Sequence, residues 1–194
     1  GARRQEYESL TNGNPPEHEA VLPYTRLLAG GMDFTPGIFF IDNPKKHVSS
    51  TLARQLAYYV VIYSPIEMAA DLPGHYLNQP AFKFIQDVPC DWSKSIGING
   101  VIGDYITIAR KDRNSDNWYL GSVTDENGRE LSVPLTFLDK GRKYRAEIYA
   151  DGKDADWIKN QLAIDIYSQD VTCETTLNIK LAPGGGYAVR LIAL

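Results

Sequence analysis

The spacing of apolar residues changes near Pro89, and this change limits the folds open to the chain. Before it, apolar residues recur at three- and four-residue steps, as over residues 52–63, which is typical of helices. After it, apolar and polar residues alternate, as over residues 131–137, which is typical of strands with one buried face. The pattern predicts an α/β region over residues 1–90 followed by an all-β region over residues 91–194, an antiparallel β-sandwich.

The α/β region contains two predicted helices with a short buried strand between them. Residues 51–63 are apolar on nearly every face and follow hydroxyl residues suited to a cap, so they predict a helix packed between other elements. Residues 15–29 predict the other helix, with a kink at Pro23, and residues 32–41 predict a buried strand or a strand-like loop. These elements are too few for a parallel sheet that is stable alone. Either they pack directly on the sandwich, or further polypeptide from the same gene completes the layer.

Turn residues divide the β region into strands. The dipeptide Asn127-Gly128 predicts a hairpin between strands at 118–123 and 131–137, because both turn positions tolerate positive φ. Pro134 predicts that the second of these strands lies at an edge or carries a bulge, because proline cannot donate to the ladder.

Composition excludes some classes of partner. The 194 residues carry 20 basic and 24 acidic side chains, a formal charge of −4, so no nucleic-acid partner is expected. No run of about 18 apolar residues occurs, so no membrane span is predicted. No apolar signal region follows Gly1, and a signal peptide that had been removed would leave no trace. The sequence therefore does not indicate the cellular compartment of the protein. Cys90 and Cys173 lie far apart and predict two buried free thiols, with a single bridge as the alternative.

Acidic residues and one histidine are concentrated in the first third of the chain. Paired carboxylates act as acid and base in glycoside hydrolysis, and carboxylates also bind calcium. Structural roles compete with this: Glu17 and Glu19 fit the charges of a helix N-terminus. His18 fits a packing role, and Asp33 fits a turn cap. The residues concerned are Glu6, Glu8, Glu17, His18, Glu19 and Asp33.

Other candidate side chains also have two interpretations. Glu67 and Asp71, four residues apart on a predicted helix, are expected to face solvent or an arginine. Trp92, Trp118 and Trp157 belong to the sandwich region. Aromatic residues of a sandwich are mostly core, and a sugar-stacking platform is the alternative.

Several segments together resemble the C-terminal part of glycoside hydrolase family 97, the α-glucosidases and α-galactosidases. The resemblance implies that residues 1–90 are the last elements of a (β/α)8 catalytic barrel and that residues 91–194 are a C-terminal β domain. It implies a calcium-dependent, exo-acting enzyme that hydrolyses terminal sugars of α-linked oligosaccharides, and it suggests the periplasm. The segments are Arg3-Arg4-Gln5-Glu6-Tyr7, Gly13-Asn14-Pro15-Pro16-Glu17-His18, Leu22-Pro23-Tyr24-Thr25-Arg26-Leu27-Leu28-Ala29-Gly30, Met32-Asp33-Phe34-Thr35-Pro36-Gly37, Leu52-Ala53-Arg54-Gln55-Leu56-Ala57, Tyr63-Ser64-Pro65 and Met68-Ala69-Ala70-Asp71-Leu72-Pro73.

Glu6 is the position at which the resemblance implies a catalytic and metal-binding role. It is similar to the glutamate that binds calcium and, in inverting members, helps to activate the attacking water. Arg4 stands where the family has glycine, which affects the loop that holds Glu6. The other catalytic residues of the family correspond to polypeptide upstream of Gly1, so this chain alone is not expected to hydrolyse a glycoside. The alternative for Glu6 is a solvated residue near a chain end.

Two further expectations concern partners and a rival function. Without barrel strands to cover it, the helix at 51–63 is expected to expose apolar surface and to drive self-association or docking onto the remainder of the barrel. The rival to the enzyme is a non-catalytic carbohydrate-binding or structural β-sandwich module.

Overall fold

The computed structural model describes residues 14–43 and 47–194, which form a helical layer and a β-sandwich. The helices of the described residues are α1 Pro16–Val21, α2 Leu52–Val61, α3 Pro73–Tyr76 and α4 Phe82–Asp87, and two 3-10 turns, Leu22–Tyr24 and Arg26–Ala29, follow α1. The strands are β1 Trp92–Val101, β2 Tyr105–Asp112, β3 Trp118–Thr124, β4 Arg129–Pro134, β5 Tyr144–Asp151, β6 Ile164–Val171, β7 Thr176–Leu181 and β8 Gly186–Ala193.

The strands form two antiparallel sheets of unequal width. A six-stranded sheet has the order β1-β2-β3-β8-β5-β6, and a two-stranded sheet pairs β4 with β7. One face of the large sheet packs on the small sheet, and its other face packs on the helical layer. Alternate residues of β3 show this: Trp118 and Leu120 lie in the core between the sheets, whereas Tyr119 and Val123 lie in the core beside the helices. The predicted sandwich is confirmed, and its central strand is buried on both faces.

Helix α2 lies in the middle of the molecule. All ten of its residues are buried, and the Thr51 side chain caps it by accepting a hydrogen bond from the Arg54 backbone N–H at 3.2 Å. The helix approaches the sheet where the facing strands carry glycine. A Cβ atom on Gly121 of β3 would lie 2.7 Å from the carbonyl oxygen of Ala57, and one on Gly186 of β8 would lie 2.4 Å from the Cα of Arg54. The prediction of a helix packed between other elements is confirmed.

The close contact of Gly121 with α2 leaves no room for a larger side chain. Gly121→Ala is expected to lower the free energy of unfolding by about 1–3 kcal/mol, because the methyl group forces α2 away from β3. Gly97→Ala, on the exposed strand β1 with nothing within 4 Å of the new methyl group, is the matched control and is expected to change stability by less than about 0.5 kcal/mol. Urea unfolding measures both; equal effects of the two substitutions would contradict the packing described.

The expectation that α2 exposes apolar surface is wrong. The helix is covered on one side by the large sheet and on the other by buried residues of the segments 32–41 and 81–84. Exposed apolar side chains lie instead in the segments around it, and the following five are each at least 56% exposed. They are Leu28, Ile66, Met68, Leu72 and Leu77, and are referred to below as the exposed apolar residues of the first half.

Several local predictions need correction. The helix predicted over 15–29 ends at Val21 and continues as 3-10 turns, the first of which contains Pro23. Of the two alternatives for residues 32–41, the structure shows the strand-like loop, because the described part of the chain has no neighbouring strand of a parallel layer to pair with them.

The hairpin predicted at Asn127-Gly128 is also wrong. Strand β3 pairs with β2 and β8, and β4 pairs with β7, so the turn carries the chain from one sheet to the other. Asp125 fixes this crossing by accepting hydrogen bonds from the backbone N–H of Asn127 at 2.9 Å and from Arg129 at 2.9 Å. Pro134 does lie on an edge strand, because both strands of a two-stranded sheet are edges.

Both cysteines are free, as predicted, but they are not buried: Cys90 is exposed and Cys173 is half-buried. Among the described residues, no helix has the length and apolar character needed to cross a membrane.

Candidate functional site

The segment that precedes α2 has one buried and one polar face. Met32, Phe34 and Pro36 are buried, and the first two of these lie in the core with α2. The intervening Asp33 is exposed and Thr35 is half-buried. Alternation of this kind places successive side chains on opposite sides of the backbone. Asp33 is therefore presented on the side away from α2.

The turn at residues 37–40 is held firmly against α2. The backbone N–H groups of Gly37 and Ile38 donate hydrogen bonds to the Gln55 side-chain carbonyl at 3.0 and 3.1 Å. Gly37 has a φ of +90°, and a Cβ there would lie 2.5 Å from the hydroxyl of Tyr59. Only glycine fits this position without strain.

Asp71 ties the same turn to α3. One carboxylate oxygen accepts hydrogen bonds from the backbone N–H groups of Phe39 and Phe40 at 2.8 and 2.7 Å, and the other lies 2.5 Å from Nδ1 of His75. Burial acts to raise the pKa of Asp71, but these hydrogen bonds outweigh it and the pKa is lowered overall. The Phe40 and His75 rings lie 4.8 Å apart. Asp71 therefore stays ionised and positions both aromatic side chains.

The expected placement of Glu67 and Asp71 on one helix is wrong, because residues 66–71 are not helical. Glu67 does face an arginine, Arg110, but burial dominates and raises the pKa of the Glu67 carboxyl to about 9. Glu67 is therefore protonated at neutral pH.

Glu19 belongs to a buried polar network and not to a solvated helix end. Its Oε2 lies 3.6 Å from Nη2 of Arg54, and both side chains are fully buried. The Tyr58 hydroxyl donates to Glu19 and accepts from Arg54, and Arg54 also donates to the carbonyl oxygens of Pro16 and Thr124. The network joins α1, α2 and β3. Glu19 does lie in the first turn of α1, as expected of a helix N-terminal charge, but it is buried there against Arg54.

The remaining predicted site residues are not brought together. Glu17 is exposed at the start of α1, as expected of a helix N-terminal charge, and His18 is half-buried on the same helix. Glu6 and Glu8 lie outside the described residues. Within residues 14–43 and 47–194, no three His, Cys, Asp or Glu side chains are close enough to hold a metal ion, so this part of the chain offers no calcium site by itself.

The aromatic residues of the sandwich are mainly core, as predicted. Trp92 and Trp118 are 8% and 2% exposed and carry no sugar-stacking surface. Tyr167 on β6, by contrast, is 46% exposed and was not predicted as a candidate. No sequence signal distinguished it, because β6 is exposed on both faces and has no apolar alternation.

Tyr167 lies in a cleft of about 740 Å³ at the side of the sandwich. Asp151 also lines this cleft. It accepts hydrogen bonds from the Thr51 hydroxyl at 2.6 Å and from the backbone N–H groups of Ala182 and Gly186, each at 2.9 Å. Burial nevertheless raises the pKa of Asp151 from 3.8 to about 6, against these bonds and the charge of Arg54.

The raised pKa of Asp151 predicts a pH-dependent stability. The folded protein binds a proton there that the unfolded chain releases, so the contribution of Asp151 to stability falls as pH rises from about 4 to about 6. Asp151→Asn keeps the acceptor and removes the charge. We therefore compare the free energies of unfolding of the two proteins as the wild-type value minus the Asp151→Asn value. This difference is expected to fall by on the order of 3 kcal/mol between about pH 4 and about pH 6. Above about pH 6 it is expected to stay constant. Urea unfolding at a series of pH values tests this, and a difference that rises with pH would contradict it.

Comparison with known proteins identifies relatives of the chain. A sequence profile described as glycosyl-hydrolase 97 C-terminal, oligomerisation, matches residues 91–192. A retaining alpha-galactosidase of Bacteroides thetaiotaomicron is 32% identical over 184 residues, which are 90% of this chain and 27% of that protein. A glycoside hydrolase family 97 enzyme of Pseudoalteromonas sp. strain K8, solved with panose, is 48% identical and superposes with a TM-score of 0.92 over 99% of this chain and 31% of its own.

The same Pseudoalteromonas enzyme, solved with acarbose, gives 49% identity, the same coverage and the same TM-score. The chain thus spans less than a third of the length of these relatives. Both the profile match to residues 91–192 and the superposition over nearly the whole chain place it in one family. The chain belongs to glycoside hydrolase family 97, of which it carries the C-terminal part.

Proposed function

We propose that the full-length protein is an α-glycosidase that removes terminal sugars from α-linked oligosaccharides, and that this chain supplies the end of its catalytic barrel and the C-terminal sandwich. The supporting observation is the 48% identity over 99% of the chain to a family 97 enzyme solved with panose. The sequence similarity to a retaining alpha-galactosidase is lower, at 32%. An α-glucoside is therefore the first substrate to test, and an α-galactoside is the second.

The arrangement of residues 32–61 supports the barrel assignment. An extended segment with buried Met32 and Phe34 is followed by a buried helix, which is the order of a strand and helix in a (β/α)8 barrel. In such a barrel the strand side chains that face away from the helices point into the interior. Asp33 has this orientation. The exposed apolar residues of the first half then pack against barrel elements supplied by upstream polypeptide.

Glu6 is proposed as the catalytic and calcium-binding residue of this chain, with the other ligands upstream. Calcium would supply a fixed positive charge in the site. Because a neighbouring cation keeps a carboxylate ionised, Glu6 can accept a hydrogen bond from the attacking water and, in an inverting mechanism, help to activate it by taking up its proton. The turn at residues 37–40 follows the extended segment 32–36, which would become a barrel strand in the full-length protein, and in barrels that end of a strand faces the active site. The hydrogen bonds from Asp71 and Gln55 to this turn would therefore fix the position of one side of the active-site opening.

Hydrolysis assays of the full-length protein test the proposal. We expect release of glucose from panose, an α-linked glucose trisaccharide, and turnover of an aryl α-glucoside, whereas the 194-residue chain alone releases no sugar. Activity on the aryl α-galactoside alone would support an α-glycosidase whose substrates are α-galactosides and not α-glucosides. Absence of activity on all three substrates, in the presence of calcium, would overturn the proposal.

A further inference from the structure

The cleft beside β6 exists because the two sheets differ in width. A two-stranded sheet cannot cover a six-stranded one, and β6 lies at the far edge of the larger sheet. Residues 165–170 of β6 are all exposed, so neither the small sheet nor the helical layer covers this edge. The floor of the cleft includes β6, and its wall includes β7, the strand of the small sheet that pairs only with β4 in the described structure.

The charges that line the cleft largely balance. Three basic and four acidic side chains border it. Glu130 and Lys180 are direct register partners on β4 and β7, and Arg129 is paired with Asp125 at 2.9 Å. A cleft of this kind attracts neither an anion nor a cation strongly. It offers hydrogen-bond donors and acceptors side by side, including the Asn178 amide, which suits an uncharged ligand rich in hydroxyl groups.

Tyr167 adds an aromatic surface to these polar groups. Its hydroxyl lies 3.3 Å from the hydroxyl of Tyr187, a side chain that is only 3% exposed. Nearly half of Tyr167 remains open to solvent although its hydroxyl is held. A positioned ring with an open surface can pack against the C–H groups of a sugar, while neighbouring polar groups bind its hydroxyls.

We propose that this cleft is a carbohydrate-binding site for a short oligosaccharide, with Tyr167 as the stacking residue. Its volume of about 740 Å³ falls within the range of small-molecule sites, about 300–1,000 Å³. The hydroxyl-rich class of ligand follows from the lining of the cleft, and the choice of an α-linked glucose oligosaccharide rests on the proposed function. The site lies in the sandwich and is built from residues of β4 to β8, the loops that join them, and Gly128 in the turn before β4.

Titration of panose into the 194-residue chain, followed by NMR or calorimetry, tests the site. We expect saturable binding that Tyr167→Ala weakens about tenfold, equivalent to about 1.4 kcal/mol. Tyr167→Phe keeps the ring and is expected to bind within about threefold of the wild type, an effect of about 0.7 kcal/mol. Ile166→Ala is the matched control, because Ile166 is the adjacent exposed residue of β6 and does not line the cleft.

The outcomes separate this inference from the proposed function. No saturable binding, or equal weakening by Ile166→Ala and Tyr167→Ala, would overturn the carbohydrate site even if the full-length protein hydrolyses panose. Binding that depends on Tyr167 supports the site even if the full-length protein lacks activity. If sedimentation shows that Tyr167→Ala changes the oligomeric state and leaves panose binding intact, the cleft is an interface between copies and the proposal is wrong.

Discussion

Glu6→Gln in the full-length protein is expected to lower kcat/KM for an α-glucoside by roughly a hundredfold or more, because general base catalysis by a positioned carboxylate contributes about 10²–10⁴-fold. Glutamine preserves the size of the side chain but cannot take up a proton from water. It also removes one negative charge from the proposed calcium site. Steady-state kinetics on panose and on an aryl α-glucoside measure the loss of activity.

The thermal stability of Glu6→Gln with and without calcium distinguishes a loss of catalysis from a loss of calcium binding. Calcium is expected to raise the thermal midpoint of the wild-type full-length protein, since a ligand that binds the folded state stabilises it, and this rise is expected to shrink in Glu6→Gln. Glu8→Gln, two residues away, is the matched control and should retain activity within a few-fold. Glu6→Gln with wild-type activity and an unchanged response to calcium would show that Glu6 has neither role.

Arg54→Met is expected to lower the free energy of unfolding by about 3–5 kcal/mol, because it leaves the carboxylate of Glu19 buried with its charge uncompensated. The carbonyl oxygens of Pro16 and Thr124 also lose a donor. Methionine approximates the length of the arginine stem, so most of the loss comes from the charge and the hydrogen bonds and not from an empty cavity. Urea unfolding of the wild type and the variant measures the difference.

Two comparisons test the cause of that loss. Adding Glu19→Gln to Arg54→Met removes the stranded charge and is expected to recover part of the stability. Arg145→Met removes an arginine whose ion pair with Asp170 is about half exposed, and it is expected to cost less than about 1 kcal/mol. If Arg54→Met lowers the free energy of unfolding no more than Arg145→Met does, the buried network does not stabilise the contact between the helices and β3.

Elements with a strong repeating pattern were predictable from the sequence. Helix α2 is apolar on nearly every face and is preceded by the hydroxyl of Thr51, so its existence, its cap and its burial all follow from local residues. Strands β3 and β4 were likewise predicted, at 118–123 and 131–137. Strands β1 and β6 were missed, and for β6 the reason is that both of its faces are exposed, which removes the alternation that marks a strand.

Features that depend on distant residues were not predictable. The Asn127-Gly128 turn fits a hairpin locally, but the edges of β3 are taken by β2 and β8, so β4 pairs elsewhere. A glutamate in the first turn of a helix is indistinguishable by local pattern from one that meets a buried arginine, and Glu19 meets Arg54 only through the fold. The cleft at Tyr167 likewise results from the unequal widths of two sheets.

Thiol labelling of the exposed apolar residues of the first half shows whether upstream polypeptide covers them in the full-length protein. Ile66, which is 71% exposed in this chain, is replaced by cysteine in a Cys90→Ser, Cys173→Ser background, and its rate of thiol labelling is measured in the 194-residue chain and in the full-length protein. Lys140→Cys, at an exposed position of the sandwich, serves as the control in both. We predict that the cysteine at position 66 labels rapidly in the chain and at least tenfold more slowly in the full-length protein, while position 140 labels equally in both. Equal labelling of position 66 in the two proteins would contradict the claim that these residues complete a catalytic barrel.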